Sequence, residues 1–220
     1  FSLENGFLVQ KFRHPESTTK EVRINALAYV GRGKIASGDS LGQINIWDIE
    51  TATVFETFHV HQADVLALAA NKDRFYGAGI DHTLAGFEYS EQTGHWSIKV
   101  QSRTHTHDVV AIAMAGDRVV TGSKDSAIAH NRQPIYPFQK KPPVVHATRD
   151  KSVVVVGSEG NQLSVWILAE KAAQLELRLR ASSDIKALAI NDQGNTIAYS
   201  STSTFVLKFD GYKWEYEETR

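Results

Sequence analysis

Residues 24–48 have the sequence INALAYVGRGKIASGDSLGQINIWD, in which three short apolar segments are separated by polar turns. The segments are 24–30, 35–38 and 44–48, and they are rich in β-branched, aromatic and small apolar residues. Such runs, bounded by Gly, Asp, Ser or Asn, indicate β-strands joined by turns. The stretch therefore predicts three consecutive strands.

Similar triplets of segments recur four more times along the chain. The first segment recurs at 64–70, 108–115, 144–148 and 184–190, the second at 76–79, 119–122, 154–157 and 196–200, and the third at 84–88, 127–131, 163–166 and 205–209. A fourth, amphipathic strand is predicted at 54–59, 96–102, 174–180 and 212–217. Four strands in roughly 40–45 residues is the period of a β-propeller blade.

The repeats predict an all-β chain with about five four-stranded blades. Residues 1–12 add a leading partial blade, in which a third strand ends and an outer strand follows. The first two strands of each repeat are almost continuously apolar, as expected for strands between neighbouring blades. Residues 169–180 could form a helix, but the alternation LELRLR at 175–180 favours a strand.

Composition excludes several classes of protein. The chain has 220 residues, a formal net charge of -1 and no cysteine, which rules out disulfide frameworks, thiolate metal sites and cysteine nucleophiles. Its longest apolar run, 109–115, is far shorter than the ~18 residues of a membrane span. The chain begins at Phe1 and its single methionine is Met114, so we expect a piece of a longer protein.

Two motifs resemble catalytic or metal sites. Residues 38–42 (GDSLG) match the G-x-S-x-G elbow around Ser40, but that elbow joins a strand to a helix, and here it joins two predicted strands. His61 with Asp64, and His105 with Asp108, repeat in successive blades, which predicts a local hydrogen-bond cap more than a metal site. No catalytic residue, metal or cofactor is predicted; a propeller hydrolase would need Asp64, Asp108 and Asp184 to converge on a metal.

Charge is unevenly distributed along the chain. Residues 99–151 contain nine Lys or Arg and four acidic residues, a local charge of +5, so the remainder carries -6. A basic third blade could contact phosphate groups. The candidate RNA-facing residues are Arg103, Lys124, Arg132, Lys140 and Lys141. An unevenly charged, solvated surface is the alternative.

Several residues resemble the WD-repeat family. Trp47-Asp48 closes a third strand, Asp81 and Asp125 lie in turns between second and third strands, and His61 and His105 precede innermost strands. In that family such a His, a turn Asp, a strand Ser or Thr and a strand Trp form hydrogen bonds within a blade. The resemblance implies this structural role for His61, Asp64, Asp81, His105, Asp108, Thr121, Asp125 and Trp47. No repeat is expected to carry the whole set, because Asn131 replaces the Trp in the third.

Within the family, residues 35–48, 105–125 and 191–209 are most similar to cirhin-type nucleolar proteins of the small-subunit processome. These proteins carry two propellers in tandem. The resemblance implies that residues 1–133 are a partial blade and three blades that close a first propeller, 134–143 are a Pro-rich linker, and 144–220 are two blades that open a second. The prolines at 134–143 and the lack of an outer strand after Asn131 favour this boundary. The alternative is one incomplete or small propeller over 1–220.

The same resemblance implies a non-enzymatic scaffold subunit in ribosome biogenesis, located in the nucleolus. It would assemble the small-subunit processome for pre-rRNA processing and rRNA transcription. Its expected partners are other WD-repeat proteins and precursor ribosomal RNA, with no membrane, cofactor or small-molecule substrate. A general WD-repeat adaptor, such as a ubiquitin-ligase substrate receptor or a signalling scaffold, is the alternative.

Overall fold

The structure is a computed structural model that describes residues 10–14, 21–71, 73–115, 118–125, 127–130, 133–137, 144–147, 153–168, 173–191 and 193–217. The regular elements in these ranges are β-strands, as predicted. In this part of the chain, no helix is long and apolar enough to cross a membrane.

Twenty strands form five four-stranded sheets, and within each sheet every strand pairs antiparallel with the next one along the chain. Each sheet is one blade. Blades 1 and 2 consist of β1 (Ile24–Gly31), β2 (Lys34–Asp39), β3 (Gln43–Asp48), β4 (Val54–His59), β5 (Val65–Ala70), β6 (Arg74–Gly79), β7 (Leu84–Ser90) and β8 (His95–Ser102).

Blades 3, 4 and 5 repeat this order, and all of their strands except the outer strand of blade 3 lie at predicted segments. They consist of β9 (Val109–Ala115), β10 (Arg118–Ser123), β11 (Ala127–His130), β12 (Gln133–Pro137), β13 (Val144–Ala147), β14 (Val153–Glu159), β15 (Gln162–Leu168), β16 (Ala173–Arg180), β17 (Ala187–Ile190), β18 (Thr196–Ser200), β19 (Thr204–Phe209) and β20 (Trp214–Tyr216). The segment for which a helix was considered is the strand β16.

The apolar core lies between successive blades. Between blades 1 and 2, Ile44 and Ile46 of blade 1 pack in one cluster with Phe75, Phe87 and Trp96 of blade 2. The Phe75 and Phe87 rings stack with centroids 4.3 Å apart. The innermost strands β1, β5, β9, β13 and β17 contact one another in that order. The sheets therefore stack face to face in series, which is the arrangement of propeller blades.

One face of blade 1 is exposed. Leu27 and Tyr29 of β1 are 66% and 63% exposed, whereas Ile112 and Met114, at the same register positions of β9, are 9% and 7% exposed. Blade 2 covers Ile112 and its neighbours, but no described blade covers Leu27. An apolar cavity of about 320 Å³ lies on this face and is lined by Phe12 together with Leu27.

The structure bears on two predictions about the ends of blades. Of the predicted leading blade at 1–12, only residues 10–12 are described, and they form no strand; the rest lies outside the described residues. The outer strand judged missing after Asn131 is present as β12, which pairs with β11. Pro134 and Pro137 argue against a strand in the sequence, yet an outermost strand tolerates proline since its outer edge needs no N–H donor. The division at 134–143 stays a prediction.

The turn between the second and third strands of a blade contacts the loop that enters the innermost strand. In blade 2, Ile80 N donates to Asp64 O at 3.0 Å, and a Cβ added at Gly79 would lie 1.9 Å from the same oxygen. Glycine is thus required at position 79 by close approach of backbone to backbone. The contact places His61 beside the turn that carries Asp81.

We expect Gly79→Ala to lower the free energy of unfolding by about 3 kcal/mol, because the methyl group must displace a backbone carbonyl. Gly33→Ala is the control, since Gly33 has φ +65° but no atom within 4 Å of an added Cβ. That variant should lose only about 1 kcal/mol from left-handed backbone strain. Urea denaturation measures both, and equal losses would contradict the close-approach explanation.

Candidate interaction face

The described histidine and turn-aspartate candidates lie on one face of the stacked blades, which we call the turn face. It consists of the turns at 39–43, 79–84 and 123–125 and the loops at 60–64 and 103–108. Backbone hydrogen bonds connect turns to loops: His61 N donates to Gly42 O at 3.3 Å, and Lys124 N donates to Asp108 O at 2.9 Å. Loops on such a face are where propellers carry function.

Blade 3 has a buried hydrogen-bonded trio. His105 Nδ1 lies 3.0 Å from Asp125 Oδ2, and His105 Nε2 lies 2.7 Å from Thr121 Oγ1. The carboxylate can only accept, so Nδ1–H donates to Asp125 and Nε2 accepts from the Thr121 hydroxyl. Burial lowers the pKa of His105 and outweighs the opposing effect of Asp125. The imidazole is therefore neutral at pH 7.

Blade 2 has the same His–Asp pair but lacks the third group. His61 Nδ1 lies 3.0 Å from Asp81 Oδ1, and Asp81 also accepts from the backbone N–H groups of Gln62 and Thr83. Burial acts to raise the pKa of Asp81, but these hydrogen bonds outweigh it and the pKa lies below its usual value. His61 Nε2 is buried without a hydrogen-bond partner among the described residues.

The strand register explains the unpaired nitrogen. Thr121 pairs with Ile112 across β9 and β10, and the residue at the same position of blade 2 is Gly77, which pairs with Leu68. An added Cβ at Gly77 would lie 3.6 Å from His61 Nε2. Glycine at this position thus removes the hydroxyl that would satisfy His61.

Blade 1 has a His–Asp pair and a Ser–Trp pair, but its aspartate ends β2 at the register position of Gly79 and Ser123, so the expected set with a turn aspartate is not complete in this blade either. His14 Nε2 lies 3.0 Å from Asp39 Oδ2, and Trp47 Nε1 donates to Ser37 Oγ at 2.7 Å. The Asp39 side chain has no exposed surface. Sequence reasoning missed His14 because it precedes its aspartate by 25 residues, whereas His61 and His105 precede theirs by 20.

The aspartates three residues after the histidines have other partners, so the local cap predicted from spacing is not the contact that forms. Asp64 accepts from Asn25 Nδ2 at 3.3 Å, across the boundary between blades 1 and 2. Asp108 accepts from Lys124 Nζ at 2.6 Å, which lowers the pKa of Asp108. The histidines instead contact the turn aspartates, because each turn packs against the entry loop of its own blade.

The alternative chemical sites do not assemble in the described part of the chain. Ser40 lies in the turn between β2 and β3, and its Oγ accepts from Arg23 N at 3.1 Å. Among the described residues, no group of three or more His, Asp or Glu side chains could hold a metal ion. Asp64, Asp108 and Asp184 therefore do not converge on a metal site.

Two of the five candidate RNA-facing residues are described. Arg103 is exposed and its Nε donates to Thr83 Oγ1 at 3.4 Å. Lys124 forms a salt bridge with Asp108 at 2.6 Å. Arg132, Lys140 and Lys141 lie outside the described residues.

Stacked four-stranded blades with His–Asp pairs between turn and entry loop define a β-propeller protein. The chain is similar to U3 small nucleolar RNA-associated protein 4 of Saccharomyces cerevisiae, at 24% identity, over 90% of this chain and 29% of that protein. The mouse homolog is 23% identical over 99% of this chain and 37% of its own length. The Schizosaccharomyces pombe protein is 26% identical over 84% of this chain and 28% of its own length. The chain therefore spans about a third of these relatives.

One solved structure supports the fold alone. A chain in the crystal structure of the mitotic checkpoint complex superposes with a TM-score of 0.68 at 16% identity, over 82% of this chain and 61% of that chain. No protein-family model matches the sequence.

We expect Gly77→Ser to stabilise blade 2 once space is made for its Cβ. That Cβ would lie 2.6 Å from Ile44 Cδ1, so the test is made in the Ile44→Val background, which removes this atom. Gly77→Ser/Ile44→Val should be about 1 kcal/mol more stable than Gly77→Ala/Ile44→Val, because only the serine can donate to His61 Nε2. Urea denaturation of both variants gives the difference, and equal stability would show that the hydroxyl does not reach His61.

The neutral buried His105 predicts a pH dependence. The pKa of His105 in the folded protein lies below the unfolded value of about 6.5, so the unfolded chain binds a proton first as the pH falls. The contribution of His105 to the free energy of unfolding is therefore complete above pH ~6.5 and declines below it. His105→Gln should lose about 1–2 kcal/mol at pH 7.5 and show a smaller further decline toward pH 5.

Denaturation at several pH values measures this effect. The control is His59→Gln, since His59 is exposed at the end of β4 and its replacement should leave the free energy of unfolding at pH 7.5 unchanged. Identical pH profiles for wild type and His105→Gln would contradict the assignment of a neutral imidazole.

Proposed function

We propose that this chain is the propeller segment of a non-enzymatic scaffold in ribosome biogenesis. The scaffold assembles the small-subunit processome in the nucleolus, for pre-rRNA processing and rRNA transcription. The observation that supports the proposal is the similarity to U3 small nucleolar RNA-associated protein 4 of three organisms over 84–99% of this chain. The finer assignment to the cirhin-type proteins rests on residues 35–48, 105–125 and 191–209.

The geometry is compatible with a scaffold role. The histidines beside the turn face are directed inward: the His14, His61 and His105 side chains are each paired with a buried or nearly buried aspartate. These groups hold turns and loops in place and leave the loop surface to contact other proteins. RNA contact stays a prediction from the sequence for Arg132, Lys140 and Lys141, since Lys124 is paired with Asp108 and Arg103 with Thr83.

We also propose that the exposed face of blade 1 packs against a further blade of a longer chain. The support is the exposure of Leu27 and Tyr29 at positions that blade 2 covers in blade 3. The contact of β13 with β9 supports a continuous series of blades across 134–143, which favours one incomplete propeller over two propellers divided there.

Affinity purification of the tagged full-length protein from growing cells tests the function. U3 small nucleolar RNA, precursor ribosomal RNA and other propeller proteins should co-purify, and the protein should be nucleolar. Depletion should lead to accumulation of unprocessed small-subunit precursor RNA on northern blots. A cytoplasmic protein that co-purifies with a ubiquitin ligase or a signalling complex would favour the general adaptor instead.

A further inference from the structure

A polar groove of about 370 Å³ opens on the turn face of blade 2. It lies between the loop that carries Gln62, the turn that carries Thr83, and the end of the outer strand β8 with Arg103 beyond it. Unlike the apolar cavity on blade 1, this groove is lined mainly by hydrogen-bonding side chains. Its chemistry is therefore that of a recognition site for a polar group.

The groove offers an oriented cation and two amides. Arg103 is exposed, and its Nε–H donates to Thr83 Oγ1 at 3.4 Å, so the guanidinium is held at the groove by one of its five N–H groups. The exposed side chains of Gln62 and Gln101 line the same groove. A guanidinium held in this way, with amide donors beside it, is suited to a planar anion such as a carboxylate.

A second observation points to a ligand. Ser102 also lines the groove, and its Oγ is buried without a hydrogen-bond partner among the described residues. Buried hydroxyls in proteins nearly always have a partner. Because this oxygen has almost no exposed surface, an anion seated in the groove reaches the Ser102 hydroxyl only when the Ser102 side chain turns to another rotamer.

The acidic residue in the lining, Asp81, is held by protein donors, and its charge is the one feature of the described lining that disfavours an anion. Asp81 accepts hydrogen bonds from His61 Nδ1, Gln62 N and Thr83 N, so both of its oxygens are occupied by protein donors. Its side chain is only 6% exposed. Among the lining residues, Arg103 is the cation, and because it is exposed while Asp81 is nearly buried, an anion in the groove meets the guanidinium at closer range than the carboxylate.

From these contacts we propose that the groove binds the carboxylate of an Asp or Glu side chain of a protein partner. A nucleic-acid strand carries one charge per nucleotide and needs several cations along its path. The same face also presents Asp64 and Asp108, and Lys124 is already engaged by Asp108. One cation with neutral donors around it fits one carboxylate better than a series of phosphates. The assignment of the carboxylate to a protein partner rests on the proposed scaffold role. The binding of a carboxylate in the groove does not depend on that role.

Ligand-observed saturation-transfer NMR on the purified full-length protein tests the site. The probes are N-acetyl-glutamate N-methylamide, its neutral glutamine analogue and dimethyl phosphate, which represents the RNA backbone. The glutamate probe should bind saturably, at least tenfold more tightly than the glutamine analogue and more tightly than dimethyl phosphate. Absent binding, or equal binding of the glutamine analogue, would overturn the proposal; tighter binding of dimethyl phosphate would overturn it in favour of RNA.

Variants locate the binding to this groove. Arg103→Gln should weaken binding of the glutamate probe at least fivefold, whereas Arg23→Gln, which alters another exposed arginine of the same face, should leave it unchanged. Ser102→Ala should preserve stability, because it removes an unpaired hydroxyl, and should weaken binding two- to fivefold. Equal effects of the two arginine variants, or none from Ser102→Ala, would contradict the site. Because these titrations need no processome component, their outcome is independent of the co-purification experiment.

Discussion

Blades 1 to 3 depend on the close contact between the turn that joins their second and third strands and the loop that enters their innermost strand. The contact is made by backbone on backbone, as between Ile80 and Asp64, and a buried histidine paired with a turn aspartate lies beside it. Two chain segments that are 20 residues apart in sequence are thereby held in one place. The stacking of the blades and the position of every loop on the turn face follow from that local geometry.

The hydrogen-bonded sets of the three blades differ in completeness, and the differences have simple causes. In blade 3 both nitrogens of His105 are satisfied, whereas in blade 2 glycine replaces the hydroxyl residue and one nitrogen of His61 has no partner among the described residues. Buried polar groups are costly when unsatisfied, so blade 2 carries a penalty that blade 3 does not. The groove with Arg103 lies directly above this less satisfied blade.

The strands were largely predictable from the sequence, because short apolar segments bounded by turn residues recur with a constant period. The outer strand at Gln133–Pro137 was not, since two prolines normally exclude a strand and only its edge position permits them. The pairs His61–Asp81 and His105–Asp125 could be located by their equal spacing in two repeats. His14 could not, because its longer connection hides it, and the groove could not, because its residues come from three separate segments.

The His14–Asp39 pair has a consequence for where the polypeptide can be shortened. His14 belongs to no strand, yet its side chain contacts a carboxylate that has no exposed surface. A shorter form that started after His14 would retain all four strands of blade 1 but, among the described residues, leave Asp39 the N–H groups of Leu41 and Gln43 as its donors. A buried charge that loses one partner is strongly destabilising. The unit that folds as blade 1 is therefore larger than its sheet, and its boundary lies on the N-terminal side of His14.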